Sequence, residues 1–334
     1  MVRTFPRKLS FAVLAALGLV ATACAPRPPQ LAGDGPTAAH GTLPAGPGAY
    51  IGAFVAPNGS GQGAEKSSVE AEERYLGRKL DIAHWFYPWS GVFPTWRESY
   101  DIANGRIPMI SWGGTDTRSI VNGSQDGLIR ARADGVRNLG RPVLMRWFWE
   151  MDGNTNASKA NNPALFKAAW ERIVSLFRSR GANNAAFVWC PNAWGVDTGR
   201  AQQWYPNPST VDWICGDGYN WYPRKPGSQW ISFEATFHDW YAWASTKGKP
   251  LMLGELGAQE DPGSPGRKAQ WIRDMATVLQ TRMPKVRAVV YFDHRTNSYS
   301  DPGIVYDWSL TSSSSAHATW RSVGLSRYFR PAHR

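Results

Sequence analysis

The run Pro142-Val-Leu-Met-Arg-Trp-Phe-Trp-Glu150 is apolar for most of its length, ends in a carboxylate and passes into Met-Asp-Gly153. The run Pro250-Leu-Met-Leu-Gly-Glu255 repeats that pattern and passes into Leu-Gly257. A carboxylate at the end of a buried strand costs free energy unless it is paired or used. Two such ends in one chain predict that Glu150 and Glu255 share one pocket.

Short apolar runs alternate with amphipathic stretches on both sides of these two segments, which predicts a single (β/α)₈ TIM barrel over residues 49–330. A doubly wound sheet would also alternate, but no Gly-rich phosphate loop follows the first strand. The predicted strands are 49–56, 80–89, 107–114, 142–150, 185–192, 211–219, 250–255 and 286–293. The helix-like segments between them include 67–78, 164–180, 233–247 and 267–283.

The N-terminus has the pattern of an export signal. Arg3, Arg7 and Lys8 precede a short apolar run, and Ala21-Thr-Ala-Cys24 follows it. We therefore predict a signal peptide over residues 1–23. The four-residue stretch resembles a bacterial lipoprotein box, so we predict a lipidated Cys24, with an incidental cysteine after an ordinary signal as the alternative. Residues 24–48 are rich in Pro, Gly and Ala and predict a flexible tether.

The charge pattern argues against some partners. The formal net charge is +11, but the cations are scattered and no nucleic-acid motif occurs, so we predict a solvated basic surface and no nucleic-acid partner. A monomer is the expected state. Cys190 and Cys215 lie in predicted neighbouring strands, and the sequence leaves open whether they form a disulfide or remain free thiols.

Active sites of TIM barrels form at the C-terminal ends of the strands, and polar and aromatic residues gather at those ends here. Because side chains alternate along a strand, Arg146, Phe148 and Glu150 are predicted to point one way and Trp147 and Trp149 the other. The same rule places Asp217 and Tyr219 on one face, where the tyrosine hydroxyl can orient a carboxylate.

A pair of opposed carboxylates is the requirement for cleaving a glycosidic bond, and about 5–5.5 Å between them indicates a retaining mechanism. The aromatic neighbours of Glu150 make it the predicted acid/base and Glu255 the predicted nucleophile. The chain has 18 tryptophans, and those at strand ends, including Trp89 and Trp194, can stack on sugar rings. The predicted substrate-binding and supporting residues are Arg146, Tyr219, Asp217, His84, Trp85, Trp112, Trp149 and Trp221.

Other chemistries have little support in the sequence. The six histidines include no pair at metal-ligand spacing, the cysteines form no CxxC motif, and no GxSxG elbow occurs. We therefore predict neither a metal site nor a cofactor.

The segments Arg146-Trp-Phe-Trp-Glu150-Met-Asp-Gly153, Asp217-Gly-Tyr219-Asn220 and Leu253-Gly-Glu255-Leu-Gly257 resemble glycoside hydrolase family 26. The resemblance implies a clan A barrel and a retaining endo-β-glycanase. It implies Glu150 as proton donor, Glu255 as nucleophile and Tyr219 as its hydrogen-bond partner, supported by Arg146 and Asp217. The family's β-mannanases usually carry histidine where this chain has Trp149, and often asparagine where it has Asp152.

The predicted function is hydrolysis of a β-linked polysaccharide, β-mannan or mixed-linkage β-glucan, by an exported protein at the outer face of the membrane or secreted. The family also includes enzymes for β-1,3-xylan. Two alternatives remain open: a lipoprotein that binds glycans without cleaving them, and a transglycosylase that uses the same residues.

Overall fold

The computed structural model describes residues 47–153, 157–298 and 302–329. The predicted signal peptide, Cys24 and nearly all of the predicted tether lie outside the described residues. Within the described part of the chain, no helix combines the length and the apolar character that crossing a bilayer requires.

Eight parallel strands close into a barrel in sequence order, and the predicted (β/α)₈ fold is confirmed. The last strand closes the barrel on the first, since Tyr50 pairs with Ala288 and Phe54 with Phe292. The strands are β1 Tyr50–Val55, β2 Ile82–Tyr87, β3 Ile107–Trp112, β4 Val143–Trp147, β5 Ala185–Trp189, β6 Trp213–Asn220, β7 Leu251–Ala258 and β8 Val286–Asp293, followed by a hairpin of β9 Arg295–Asn297 and β10 Val305–Asp307.

Helices cover the outside of the barrel and begin at residues suited to that role. Thr95 and Glu98 form a reciprocal capping box at the start of α2, and Asn162 caps α6 just before Pro163. The described helices are α1 Gly61–Leu76, α2 Trp96–Ala103, α3 Thr117–Val121, α4 Asp126–Leu139, α5 Ala157–Ala160, α6 Pro163–Ser179, α7 Ala193–Asp197, α8 Phe233–Ala244, α9 Arg267–Thr281 and α10 Ser314–Leu325.

Two of the strand ends differ from prediction at the positions that matter most. Strand β4 stops at Trp147, so Glu150 follows the strand instead of ending it. Strand β7 continues to Ala258, so Glu255 lies within it. Both glutamates still lie at the C-terminal side of the barrel.

The core has two parts, one inside the barrel and one between strands and helices. Most of the fully buried tryptophans belong to the outer part, where they fill the space between sheet and helices: Trp112, Trp147, Trp170, Trp189, Trp240, Trp271 and Trp320. The inner part is filled by alternate strand residues, among them Tyr50, Ile82, Met109, Leu144, Val188, Trp213, Met252 and Val290. The large tryptophan content thus serves mainly the packing of the helical layer.

Arg106, just before β3, ties two helices to the barrel. Its side chain is fully buried and donates to both carboxylate oxygens of Glu73 in α1, each at 2.7 Å. It also donates to Asp101 in α2 at 3.1 Å. Removal of one partner of a buried ion pair leaves the other charge buried without compensation. The desolvation cost of that uncompensated charge is large.

Arg106→Met should lower the free energy of unfolding by about 3–5 kcal/mol, because Asp101 then remains buried without a cation and Glu73 keeps only the half-exposed Lys79 at 2.9 Å. Urea denaturation measures the loss. Arg74→Met is the matched control, since Arg74 meets Glu70 at 4.0 Å with both side chains well exposed, and it should cost less than about 1 kcal/mol. Equal effects of the two substitutions would contradict this account.

Candidate active site

The backbone changes direction immediately after β4. Phe148 and Glu150 adopt left-handed φ values of 50° and 53°, which end the alternation of an extended strand. The predicted parity is therefore wrong for two residues. Phe148 is buried against Trp147 and Phe166 on the helical side. Trp149 instead lies 5.2 Å from the Phe86 ring and 5.2 Å from the Arg146 guanidinium, inside the barrel mouth.

Arg146 lies fully buried at the centre of the site. Its Nη1 donates to Asp217 Oδ2 at 2.8 Å, its Nε donates to Ser111 Oγ at 2.7 Å, and its Nη2 donates to Glu255. These bonds join β3, β4, β6 and β7 across the barrel. The predicted location of Arg146, deep in the pocket beside the carboxylates, agrees with these contacts.

His84 completes the contacts on the β2 side of Arg146. Its Nε2 lies 2.6 Å from Ser111 Oγ and 3.3 Å from Arg146 Nη2. Burial, with the neighbouring guanidinium, holds the pKa of His84 well below its usual value. The imidazole is therefore neutral at physiological pH, and a second cation beside Arg146 is avoided.

Asp217 lies beside Glu255 because β6 and β7 shift register between Gly216 and Asp217, which pairs Asp217 with Glu255. Burial raises the pKa of Asp217 well above its usual range against the opposing effect of Arg146. Cys190 and Cys215 form a disulfide directly beneath it, which resolves the alternative that the sequence left open. In the described part of the chain, the one grouping able to hold a metal ion consists of Asp217 and these two cysteines, whose sulfurs are already joined.

Glu255 receives a second donor from Tyr219, whose hydroxyl lies 2.5 Å from Glu255 Oε2. Burial and then the nearby carboxylate raise the pKa of Tyr219 well above its usual value, so its hydroxyl keeps the proton that it donates. A Cβ at residue 254 would overlap the Cys215 sulfur, so the glycine before Glu255 is needed for the strand to pass this close to the disulfide.

Glu150 belongs to the same electrostatic cluster. It is partly exposed, and its backbone N–H donates to Cys190 O at 2.8 Å, which fixes the turn after β4 to the end of β5. Its charge raises the pKa of Asp217 and of Tyr219 and favours the charged form of Arg146. The predicted spacing of the Glu150 and Glu255 carboxyl groups stays a prediction.

Two curated proteins resemble this chain in sequence. Endoglucanase H of Acetivibrio thermocellus is 32% identical over 289 residues, which is 83% of this chain and 30% of that protein. The β-1,3-xylanase TXYA of a Vibrio species is 26% identical over 156 residues, 43% of this chain and 29% of that protein. The chain thus spans only about 30% of the length of these curated relatives. No protein-family model matches the chain.

Solved structures show the same fold. The GH26 β-mannanase of Bacteroides ovatus superposes with a TM-score of 0.59 at 14% identity, covering 84% of this chain and 89% of that one. A ruminal GH26 endo-β-1,4-mannanase superposes with a TM-score of 0.60 at 16% identity, covering 84% and 64%. The resemblance to glycoside hydrolase family 26 is confirmed. The predicted enzyme class, a glycoside hydrolase, is supported by the same relatives.

Two tryptophans that were predicted to bind substrate lie outside the barrel mouth, and that prediction is wrong for them. Trp85 is buried and donates from its indole N–H to Asp101 at 2.6 Å. Trp112 is fully buried, stacks on Trp89 at 4.2 Å and donates to the Trp89 carbonyl. Each of the two tryptophans is next in sequence to a residue whose side chain faces the barrel interior. Because successive side chains of a strand point to opposite faces, the two indole rings point toward the helices.

Trp221 does lie beside the site, since its ring is 5.5 Å from Tyr219 and 5.0 Å from Trp308. Trp308 in turn is 4.6 Å from Tyr219. The sequence gives no sign that Trp308 contributes to the site, because this residue follows the β9–β10 hairpin and no local pattern connects it with β6.

Three phenylalanines that the sequence did not single out form the other half of the mouth. Phe54, Phe86 and Phe292 on β1, β2 and β8 are partly exposed, with rings 5.0–6.1 Å apart. Phe292 is 5.9 Å from Tyr219, so the aromatic half adjoins the charged half. Strand parity could have found Phe86, because it lies two positions after His84.

Tyr219→Phe should lower kcat/KM for glycan hydrolysis about 10- to 100-fold, because a hydrogen bond to a charged group contributes about 1.5–3 kcal/mol. Initial rates on a polysaccharide substrate measure this, with the thermal midpoint as a check of folding. Tyr328→Phe is the control, since that hydroxyl donates only to the Leu279 carbonyl at 3.4 Å, at the far end of the chain. An unchanged kcat/KM would show that this hydrogen bond does not support the reaction.

Proposed function

We propose that this chain is a retaining endo-β-glycosidase in which Glu255 is the nucleophile and Glu150 the acid/base. The observation that carries the proposal is the pair of donors on Glu255, Tyr219 on one oxygen and Arg146 on the other. They fix the orientation of the carboxylate, and the guanidinium compensates its negative charge. Glu150 lies in a partly exposed position in the same cluster, where it can reach a glycosidic oxygen.

The reaction follows in two steps. Glu255 attacks the anomeric carbon while Glu150 donates its proton to the leaving oxygen, so a covalent glycosyl-enzyme forms and the leaving sugar departs. Glu150 then takes a proton from water, the water oxygen attacks the anomeric carbon, and Glu255 is released as a carboxylate. Inversion at each step returns the original β configuration.

The substrate that we propose is a β-linked polysaccharide, β-mannan or mixed-linkage β-glucan. Support comes from the names of the relatives, an endoglucanase and β-1,3-xylanases in sequence and β-mannanases in structure. Presence of both glutamates in one cluster favours catalysis over glycan binding alone. A transglycosylase would use the same two residues and would differ in whether water or a sugar completes the second step.

We also propose that residues 1–23 direct export and that a lipid on Cys24 anchors residues 49–330 to the outer face of the membrane through the tether. The arrangement of charged, apolar and small residues before Cys24 supports this. A monomer without a nucleic-acid partner is part of the same proposal. Incorporation of a labelled fatty acid by the wild type, and its absence from Cys24→Ser, would decide the question of the anchor.

Glu255→Ala should abolish release of oligosaccharides while glycan binding remains, and Glu150→Ala should be partly rescued by azide or by a substrate with an activated leaving group. Product analysis on β-mannan, mixed-linkage β-glucan, β-1,3-xylan and a bacterial wall polysaccharide measures this and names the substrate.

Glu234→Ala is the control, because Glu234 pairs with Arg282 on the outer surface of the barrel and should leave the rate unchanged. Full activity of either active-site variant would overturn the role of that residue. Glycan binding without release of products from any polymer would favour the binding protein.

A further inference from the structure

Trp194 is an aromatic side chain that the barrel places at its C-terminal rim and leaves open to solvent. It lies in the first turn of α7, the short helix that follows β5, and is 47% exposed. Among the described residues it is the one tryptophan with so large an exposed fraction. An indole ring that is open to solvent at this rim offers an apolar face on which a sugar ring can pack.

The ring is held in a fixed orientation. The Arg200 guanidinium lies 4.0 Å from the centre of the Trp194 ring, which covers one face of the indole. The same guanidinium lies 3.6 Å from Asp152 Oδ2. Asp152 is buried, and its other oxygen accepts from the Asn192 backbone N–H at 3.0 Å and from its side chain at 3.1 Å. Asp152, Arg200 and Trp194 thus form a continuous support, which we call the Trp194 platform.

Two glycines allow this support to assemble. A Cβ at residue 195 would overlap Asp152 Oδ2, and a Cβ at residue 153 would lie 2.9 Å from Arg200 Nη2. Any larger residue at either position would push the carboxylate or the guanidinium out of place. The close approach of the loops after β4 and β5 therefore depends on the two glycines.

The platform is connected to the proposed acid/base. Asp152 follows Glu150 in the same turn, and the Glu150 backbone N–H donates to the Cys190 carbonyl, just after β5 and four residues before Trp194. Glu255 lies on β7, two strands beyond β5 in the barrel. In glycoside cleavage the leaving sugar lies on the side of the group that protonates the departing oxygen.

We propose that Trp194 is the stacking platform for the leaving sugar, with Arg200 as its positioning residue. The inference rests on the proposed function. The C–H face of a pyranose would pack on the open face of the indole, which aromatic side chains suit. The Phe54, Phe86 and Phe292 rings lie on the other side of the mouth, with Phe292 beside Tyr219, and are available to the sugar that becomes attached to Glu255.

The test uses two substrates with the same sugar on the Glu255 side, measured with the purified full-length chain. One is the polymer or oligosaccharide that the wild type cleaves, and the other is the matching β-glycosyl fluoride, whose leaving group has no ring to stack. Trp194→Ala should lower kcat/KM about tenfold for the first and leave the second unchanged.

Three further variants define the role of the support. Arg200→Ala should reproduce the loss on the oligosaccharide and spare the fluoride, whereas Arg200→Lys, which keeps a cation over the ring, should lose less. Trp96→Ala is the matched control, since Trp96 also lies beneath a cation, Lys66 at 5.1 Å, but on an outer helix. Neither rate should change in that variant.

Equal losses on both substrates, or no loss on the oligosaccharide, would overturn the proposal. A wild type that cleaves neither substrate would instead contradict the proposed function. If the wild type cleaves neither substrate, oligosaccharide binding measured by tryptophan fluorescence still tests the Trp194 platform. Weaker binding by Trp194→Ala than by Trp96→Ala would support it, and equal binding would overturn it.

Discussion

A fully buried guanidinium in the barrel mouth is the constraint on which the rest of the site depends. Removal of Arg146 from water is offset only if each of its donors finds an acceptor. Ser111, Asp217 and Glu255 supply them from three other strands. The arrangement of β3, β4, β6 and β7 and the assembly of the site are therefore coupled, because the strands that carry these acceptors must be in place for the charge to be compensated.

Departures from regular backbone occur where the proposed chemistry takes place. In the turn after β4, Phe148 and Glu150 adopt positive φ, a conformation that costs residues with side chains free energy and that persists only where the surroundings enforce it. The register shift between Gly216 and Asp217 is a further irregularity at the site. These features turn Glu150 and Trp149 into the mouth and bring Asp217 beside Glu255, which a regular strand would not do.

Much of the fold and of the candidate site could be predicted from the sequence. The remaining features were mispredicted or missed for physical reasons. Alternation of strands and helices predicted the barrel, and carboxylates at strand ends predicted the two glutamates. Strand parity placed Tyr219 where its hydroxyl could orient a carboxylate, and the family resemblance implied that this carboxylate is Glu255. Trp149 was misplaced because parity holds only while the backbone is extended. The disulfide and the Asp152–Arg200 contact stayed out of reach because they depend on how separate strands and loops approach one another in space.

The most direct test of the central claim is to trap the glycosyl-enzyme. A 2-deoxy-2-fluoro glycosyl fluoride of the sugar that the protein cleaves would slow both steps of the reaction. Hydrolysis of the glycosyl-enzyme would be slowed more than its formation, so the covalent species should accumulate. Peptide mapping by mass spectrometry should then find one sugar attached to Glu255. A sugar on Glu150, or inversion of the anomeric configuration without any labelled peptide, would contradict the account.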